Sequence, residues 1–295
     1  MKKLKVAILG SGNIGTDLLV KVLRSKSLEC GAFIGRNLSS PGMSRALKFG
    51  VVVSDQSIAF IERNPDCCDL VFDATSATDH LKHAPILARL GKIAFDLTPA
   101  GIGLMCSPAV NVSEALQSQN VNMITCGGQA SIPLAYALAQ SHREIEYIEV
   151  ISSIASRSAG PATRRNLDEY VHTTENALKR FSGCRQAKTI LNLNPAQPCI
   201  DMQTTLLAKV SDPDMKGYAA QLQEMIAKVR RYVPGYELLV GPIIENGRVV
   251  VMVRVRGLGD YLPAYAGNLD IINCAAVALA EAYAAKEERH PIHAQ

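Results

Sequence analysis

Residues 4–15 read Leu-Lys-Val-Ala-Ile-Leu-Gly-Ser-Gly-Asn-Ile-Gly, so a glycine-rich turn directly follows an apolar run. A continuous apolar run of this length is typical of a strand buried in a parallel sheet. Residues 16–24 then show helical periodicity. A strand, a G-x-G-x-x-G turn and a helix in this order predict that the helix N-terminus faces the pyrophosphate of a dinucleotide. The alternative is a glycine-rich turn that binds no ligand.

Strands and helices alternate through roughly the first 130 residues. Further strands are expected at 28–34, 51–53, 93–97 and 120–125, and over 70–77, where a strand runs into a turn of small residues. The segments 57–63 and 79–90 have helical patterns. Such alternation predicts a doubly wound parallel sheet of the Rossmann type.

The character of the chain changes after Pro133. Strand-like segments and helical segments follow one another, and the turn signal Asn246-Gly247 predicts a hairpin. The expected strands are 145–154, 188–194, 204–210, 238–244 and 248–255, and the expected helices are 167–181 and 218–232. We therefore predict an α/β protein in which an α+β domain with a largely antiparallel sheet follows the Rossmann-type domain. The predicted boundaries are 1–130 for the dinucleotide-binding domain, completed by the helix 268–290, and 131–267 for the second domain.

Composition excludes several classes of function. The 295 residues carry a formal net charge of +4, contain no tryptophan and are 5% aromatic, so no basic and aromatic surface for nucleic acid is expected. No apolar run approaches the roughly 18–20 residues that a membrane helix needs, so we expect a cytoplasmic protein. The eight cysteines form no C-x-x-C pair, so no metal site is predicted.

One of these cysteines lies in a distinctive stretch. Residues 120–133 read Asn-Val-Asn-Met-Ile-Thr-Cys-Gly-Gly-Gln-Ala-Ser-Ile-Pro, an apolar strand-like run followed by Cys126, two glycines and a helix expected to start near Ser131. Pro133 suits a first helical turn. Free backbone N–H groups and the positive end of the helix favour a thiolate and stabilise an oxyanion built on that sulfur. The alternative is a buried cysteine beside a glycine turn.

The end of the second predicted strand bears on the choice of nucleotide. Folds that bind NAD usually carry an acid there for the ribose 2′-hydroxyl, whereas this chain reads Gly35-Arg36-Asn37. Arg36 is suited to a 2′-phosphate, which would favour NADP. The alternative is an arginine solvated in a loop.

A dinucleotide site together with a cysteine at a helix N-terminus predicts thiol-based oxidation of an aldehyde. The thiolate attacks the aldehyde carbon to give a thiohemiacetal, hydride leaves to the nicotinamide, and a thioester remains on the cysteine. A second nucleophile then releases the acyl group. Cysteine suits these steps because it is a strong nucleophile and a good leaving group.

Several segments resemble one family. The stretches 125–130, 158–164 and 261–270, the glycine turn 10–15, and 96–100 are similar to the CoA-acylating acetaldehyde dehydrogenases of aromatic meta-cleavage pathways. The resemblance covers nearly the whole chain. It implies the conversion of acetaldehyde, NAD and CoA to acetyl-CoA and NADH, with Cys126 as the acyl-carrying nucleophile. It also implies a homodimer formed through the second domain, which is also the catalytic one, and a complex with a 4-hydroxy-2-oxovalerate aldolase that passes acetaldehyde through a channel.

The glycine motif and the resemblance together give the expected cofactor-binding residues. These are Gly10, Ser11, Gly12, Asn13, Ile14 and Gly15 in the first domain, Ser158, Ala159, Gly160, Pro161, Ala162, Thr163, Arg164, Arg165 and Asn166 in the polar loop, and Asn268. Asn268 is also placed to cap the C-terminal helix.

The chain departs from the family pattern in three places. Arg36-Asn37 stands where the family usually has an aspartate, which leaves NADP open. Met202-Gln203-Thr204-Thr205 stands where the family has Met-Arg-Asp-Thr, so Thr204 replaces the proposed acid/base aspartate. The stretch between Tyr236 and Tyr261 is shorter than usual, which affects the expected channel and partner surface.

Two other functions are compatible with the sequence. A semialdehyde or acyl-phosphate reductase would use the same thiol and nucleotide layout, with phosphate in place of CoA as acyl acceptor. A nucleotide-binding regulatory protein would keep the fold without the chemistry.

Overall fold

The computed structural model describes residues 3–289, and for residues 161, 162 and 287–289 it describes the backbone only. The described residues form two compact units, one from the residues up to 123 together with those from 273 onward, and the other from residues 124–272. The nucleotide-binding and catalytic roles that the sequence suggests for the two domains remain predictions, and residue 290 of the predicted helix lies outside the described range.

The first unit is built on a parallel sheet. Within residues 3–289 this sheet has seven strands in the order β3-β2-β1-β4-β5-β7-β6, and each neighbouring pair is parallel. The strands are β1 (Leu4–Leu9), β2 (Leu28–Ile34), β3 (Val53–Ser54), β4 (Leu70–Asp73), β5 (Ile93–Asp96), β6 (Leu104–Met105) and β7 (Asn120–Asn122). The helices between them are α1 (Asn13–Arg24), α2 (Pro41–Lys48), α3 (Ile58–Arg63), α4 (Ala77–Arg89) and α5 (Pro108–Ala115). The predicted doubly wound parallel sheet is confirmed.

The second unit contains a mixed sheet with helices on one face. Its order, for the described residues, is β11-β12-β10-β8-β9, in which only β8 and β9 pair in parallel. The strands are β8 (Ile145–Ala155), β9 (Gln186–Asn194), β10 (Met202–Val210), β11 (Tyr236–Glu245) and β12 (Arg248–Val255). The helices are α6 (Cys126–Ser141), α7 (Pro161–Arg165), α8 (Leu167–Ser182) and α9 (Met215–Arg230). The predicted largely antiparallel sheet is therefore confirmed.

A last helix, α10 (Gly267–Arg289), begins in the second unit and ends in the first. Its Asn273 Nδ2 donates to Asp17 Oδ2 of α1 at 2.8 Å, and its Glu281 Oε1 accepts from Ser25 Oγ at 2.6 Å. These polar contacts attach the later turns of α10 to the βα unit that carries the glycine turn.

Buried and partly exposed side chains alternate along the strands of the second sheet, which identifies the face that the helices cover. In β10 the side chains of Met202, Thr204 and Leu206 are buried, whereas those between them are partly exposed. The helices α6, α8 and α9 pack over the buried face, where the Tyr236 hydroxyl donates to the carbonyl of Ala130 at 2.7 Å. Among residues 3–289, no helix combines the length and the apolar character that crossing a membrane requires.

Candidate active site

The turn before Cys126 has an unusual backbone. Strand β7 ends at Asn122, and Ile124 adopts a φ of 62°. A β-branched residue at positive φ is strained and persists only where its surroundings hold it. The Ile124 side chain is buried, and a Cβ on Gly128 would come within 2.5 Å of its Cγ2 atom. Glycine at position 128 therefore leaves room for the Ile124 side chain in the turn that precedes Cys126.

Helix α6 begins at Cys126, so the predicted start near Ser131 is wrong. Thr125 is the N-cap, because its Oγ1 accepts a hydrogen bond from the Gly128 N–H at 2.8 Å. Pro133 consequently lies inside the helix rather than in its first turn. The threonine cap and the turn at Ile124 outweigh the proline signal, and Cys126 becomes the first helical residue.

Among the described residues, uncharged groups and burial set the pKa of the Cys126 thiol. Burial raises the pKa of the thiol to about 11, while the backbone N–H groups of Gly127 and Cys126 and the hydroxyl of Tyr170 act to lower it. The backbone N–H groups act in the direction that the sequence predicts, but burial has the larger effect, so the helix N-terminus does not by itself make a thiolate. The raised pKa favours the thiol over the thiolate at neutral pH.

Hydroxyl groups cluster beside this thiol. Tyr170 of α8, which is 6% exposed, has its hydroxyl next to Cys126 and Ser152. Ser152 of β8 is 3.0 Å, oxygen to oxygen, from the Thr204 hydroxyl of β10. A Cβ on Gly127 would collide with the Tyr170 hydroxyl, so this glycine allows the approach. Ser152 thus connects the Thr204 hydroxyl to the Tyr170 hydroxyl. Thr204 stands at the position where the family resemblance implies an acid.

The sequence did not single out Tyr170 or Ser152. Tyr170 belongs to a buried stripe on α8 that continues through Thr173, Thr174 and Ala177. The available signal was a tyrosine at a position of the helix that its periodicity makes buried, since a buried tyrosine hydroxyl usually needs a partner.

An arginine of the polar stretch 158–166 in the second unit forms hydrogen bonds to backbone carbonyls nearby in the chain. Arg164 donates from Nε to the carbonyl of Ala159 and from Nη2 to that of Ser156, both at 3.0 Å. Ser158 is buried and donates to the carbonyl of Ala155 at 2.8 Å. The loop is therefore braced internally, although the side chains of 161 and 162 lie outside the described structure. The short helix α7 lies within this stretch, where the sequence predicted only a loop, and α8, which carries Tyr170, follows after Asn166.

Asn268 does not cap the C-terminal helix as expected. Helix α10 starts one residue earlier, at Gly267, and the N–H groups of Leu269 and Asp270 bond to the carbonyl of Ala266. The Asn268 side chain is 1% exposed, and no hydrogen bond within the described chain reaches its Oδ1 atom. A buried amide oxygen without a partner is costly, which marks Asn268 as a residue able to receive a ligand.

The glycine turn of the first unit has the shape that a pyrophosphate requires. Gly10 has a φ of 119°, and a Cβ on Gly15 would collide with the Gly10 carbonyl. A Cβ on Gly12 would meet nothing within 4 Å, so the space in front of the turn is open. Helix α1 has no capping side chain and no acid in its first turn, which leaves its N-terminus suited to an anion.

Arg36 lies just beyond β2 with 83% of its side chain exposed. Its Nη1 atom is 4.0 Å from Asp79 Oδ2, a loose surface ion pair. The side chain is therefore available to a nucleotide phosphate, and equally to solvent.

The comparisons with known proteins decide the family. Residues 126–263 match the family model described as "Prokaryotic acetaldehyde dehydrogenase, dimerisation". An acetaldehyde dehydrogenase of Spirochaeta aurantia is 62% identical over 283 residues, which cover 96% of this chain and 95% of the relative. The chain belongs to the acetaldehyde dehydrogenase family. The acetaldehyde dehydrogenase of Pectobacterium atrosepticum is 57% identical, covering 95% of each chain.

Membership of the acetaldehyde dehydrogenase family confirms the predicted oxidoreductase that acts on aldehydes, and the resemblance to acetaldehyde dehydrogenases. Solved structures confirm the fold. An aspartate semialdehyde dehydrogenase II from Vibrio cholerae superimposes with a TM-score of 0.61 at 14% identity, covering 98% of this chain and 99% of that one. The aspartate semialdehyde dehydrogenase from Candida albicans, crystallised with NADP, has a TM-score of 0.65 at 12% identity, covering 94% and 99%.

Proposed function

We propose that this member of the family is an acylating aldehyde dehydrogenase that converts acetaldehyde, NAD and CoA to acetyl-CoA and NADH through a thioester on Cys126. The observation that carries the proposal is the position of Cys126 as first residue of α6, with backbone N–H groups and a buried hydroxyl against its sulfur. Such donors stabilise a thiolate and the oxyanion that forms on the carbon attached to the sulfur.

The proposed reaction has two halves, both on the Cys126 sulfur. The thiolate adds to the aldehyde carbon to form a thiohemiacetal, and loss of hydride from that carbon leaves a thioester. The CoA thiolate then adds to the thioester carbon, and Cys126 leaves as thiolate. NAD, when bound, is the hydride acceptor. The raised pKa of Cys126 favours the thiol in the free protein, so binding of the substrates has to favour ionisation.

The residues that would hold the nucleotide are those of the open glycine turn and of the second unit's loop. Gly10–Gly15 supply backbone N–H groups for the pyrophosphate, as the vacant space at Gly12 and the uncapped α1 support. Residues 158–166 and Asn268 are proposed further contacts, and the unpartnered Asn268 Oδ1 suits a carboxamide N–H. NAD is the expected cofactor, while the exposed Arg36 keeps NADP open.

The related solved structures favour one alternative specifically. A semialdehyde or acyl-phosphate reductase shares this fold, and it would use phosphate rather than CoA as acyl acceptor. The third possibility, a non-catalytic nucleotide-binding regulator, has less support because the Cys126 turn retains its cap, its glycines and its neighbouring donors.

Partners follow from the second unit and from the family. A homodimer is proposed through this unit, which matches the family's dimerisation model. A complex with a 4-hydroxy-2-oxovalerate aldolase, a role in aromatic catabolism and a cytoplasmic location remain proposals that rest on the resemblance described above.

The decisive experiment is a stopped-flow burst. Protein is mixed with acetaldehyde and NAD or NADP without CoA, and CoA or phosphate is added afterwards. We expect a burst of reduced cofactor near one equivalent per site, resuming as steady turnover only with CoA. Cys126→Ala should abolish the burst, whereas Cys199→Ala, a partly exposed thiol of the same unit, should retain it. Resumption with phosphate would favour the reductase, and no burst with either cofactor would contradict the proposal.

A further inference from the structure

The Tyr170 hydroxyl is a buried polar group without a hydrogen-bond partner of its own. The side chain is 6% exposed, and within residues 3–289 no atom completes a hydrogen bond with its oxygen. The side chains that act on this hydroxyl include those of Cys126, Ser152 and Thr125. Leaving such a donor unsatisfied costs free energy, so the arrangement calls for a group that strengthens the contact during the reaction.

A second feature orients this hydroxyl. Ser152 lies between Tyr170 and Thr204, with its Oγ 3.0 Å from Thr204 Oγ1, and both small side chains are fully buried. Each hydroxyl in such a row is able to donate to the next, which polarises the last one. The row ends at the sulfur of Cys126. It also begins at the position where the family resemblance implies an aspartate, and where this chain has only a neutral threonine.

We propose that Tyr170 is a catalytic residue that donates its O–H to the Cys126 thiolate, and that Ser152 and Thr204 orient it as donor. The inference rests on the proposed role of Cys126 as nucleophile. Tyr170 keeps its proton throughout, so it acts as a hydrogen-bond donor and not as the base that removes the thiol proton.

The chemistry of the site supports a donor rather than a base. Burial raises the pKa of Tyr170 well above its usual value, and the nearby Cys126 raises it further. A tyrosine that remains protonated can only donate to an anion beside it. Hydrogen bonds to charged groups are stronger than those between neutral groups, so the contact is weak with the thiol and strong with the thiolate.

The test measures the thiol directly. Tyr170→Phe removes one oxygen and keeps the ring, and alkylation of Cys126 by iodoacetamide is followed against pH by mass spectrometry of its peptide. We expect alkylation of Cys126 at pH 8 to slow by about 10- to 100-fold, with its pH midpoint moved upward. Cys67 of the first unit, whose pKa is lowered to about 7 chiefly by a hydrogen bond with Cys68, is the internal reference and should not change.

A matched variant separates the specific role from general loss of a buried hydroxyl. Tyr218→Phe removes a fully buried hydroxyl of the same unit that donates to the Leu134 carbonyl at 3.3 Å, and it should leave Cys126 alkylation unchanged. Ser152→Ala, which retains Tyr170 and removes only the residue that orients it, should slow Cys126 alkylation in the same direction by a smaller factor. Ser152→Ala also tests the inference if Tyr170→Phe folds poorly.

The outcomes distinguish this inference from the proposed function. Equal Cys126 alkylation profiles for the wild type, Tyr170→Phe and Ser152→Ala would overturn the role of Tyr170, whatever the aldehyde kinetics show. A slowed Tyr170→Phe profile supports it. If the wild type shows that dependence on Tyr170 but forms no acyl-enzyme with any aldehyde, the proposed function fails while the donor contact stands.

Discussion

Thr125 connects the turn at Ile124 to the reactive thiol. Its hydroxyl caps α6 through the Gly128 N–H and also lies 2.7 Å from the Thr174 hydroxyl of α8. One side chain therefore fixes the helix start and joins it to the helix that carries Tyr170. A residue with this double role affects both stability and the placement of the sulfur.

Replacing Thr125 by alanine should lower the free energy of unfolding by about 1 kcal/mol, the usual cost of losing an N-cap. It should also reduce the burst amplitude, because the first turn that contains Cys126 loses its anchor. Urea unfolding and the stopped-flow burst measure the two effects. Thr125→Ser, which keeps the capping oxygen, serves as the control, and equal stability of the alanine and serine variants would contradict the capping role.

Arg36 governs the choice of nucleotide if the glycine turn binds one. Replacing it by aspartate supplies the carboxylate that accepts from a ribose 2′-hydroxyl and repels a 2′-phosphate. We expect kcat/KM to shift towards NAD and away from NADP by at least about tenfold, which corresponds to roughly 1.4 kcal/mol. Arg63→Asp, an exposed arginine of the same unit, should leave the ratio unchanged. An unchanged ratio in Arg36→Asp would show that Arg36 does not contact the ribose.

The carboxyl ends of β4 and β5 carry a buried group of charges. Asp73 Oδ2 is 2.9 Å from His80 Nδ1 and 2.8 Å from His83 Nδ1, both of α4, while Asp96 Oδ2 is 3.7 Å from His80 Nε2. Burial raises the pKa of Asp96 to about 7, although His80 acts to lower it. Burial also acts to raise the pKa of Asp73, but its hydrogen bonds with His80 and His83 bring it down to about 2.

These shifts predict how stability depends on pH. Asp96 binds a proton more tightly in the folded than in the unfolded state, so the free energy of unfolding should fall as pH rises from about 4 to about 7. His80 contributes in the same direction: burial acts to lower its pKa, but its hydrogen bond with Asp73 and the charges of Asp96 and Asp73 produce a net rise. The stabilisation from Asp73 is lost only as pH falls from about 4 towards 2.

The measurement is urea unfolding at pH 5 and pH 8. We expect the wild type to be less stable at pH 8 by roughly 1 to 3 kcal/mol, and Asp96→Asn to lose most of that difference because it cannot ionise. Asp55→Asn changes an exposed carboxyl of the same unit and should retain the difference. A wild type equally stable at both pH values would show that Asp96 ionises normally.

Much of each unit follows from local patterns. Strands β1 and β2 have the predicted bounds, and Asn246 and Gly247 adopt φ values of 50° and 70° in the predicted hairpin turn. The start of α6 could not be predicted from the sequence, because it depends on a strained backbone at Ile124 that no residue propensity favours. The pairing of Tyr170 with Cys126 does not follow either, since 44 positions separate them and only the packing of α8 on α6 brings them together.

One face of the second sheet is not covered by the described helices, and it bears on how two copies of the chain associate. Ile151, Thr205 and Met252 lie in adjacent strands at paired positions and are partly exposed, on the face opposite the packed helices. Apolar side chains on an open sheet face favour association with another surface. This face therefore suits the contact between two copies of the chain.

Replacing Met252 by lysine should dissociate the proposed dimer, because a charge buried in an apolar contact is unfavourable. Size-exclusion chromatography with light scattering measures the change, and the wild type should have about twice the chain mass of 31.7 kDa. Val52→Lys, at a side chain 56% exposed in the first unit, should remain dimeric. A dimeric Met252→Lys variant would place the interface elsewhere.

The neutrality of the groups around Cys126 has a consequence for its response to electrolyte. Dissolved ions screen interactions between charges, and the groups that influence this thiol are N–H and hydroxyl donors. Alkylation of Cys126 in the ligand-free protein should therefore change less than about twofold between 0.05 and 1 M NaCl. Cys67, whose pKa is lowered partly by the charge of Lys92, should slow over the same range and so reports screening within the same sample. Strong inhibition at Cys126 alone would reveal a charged group acting on the sulfur, whereas a flat response means that this nucleophile works equally well in dilute and in concentrated salt.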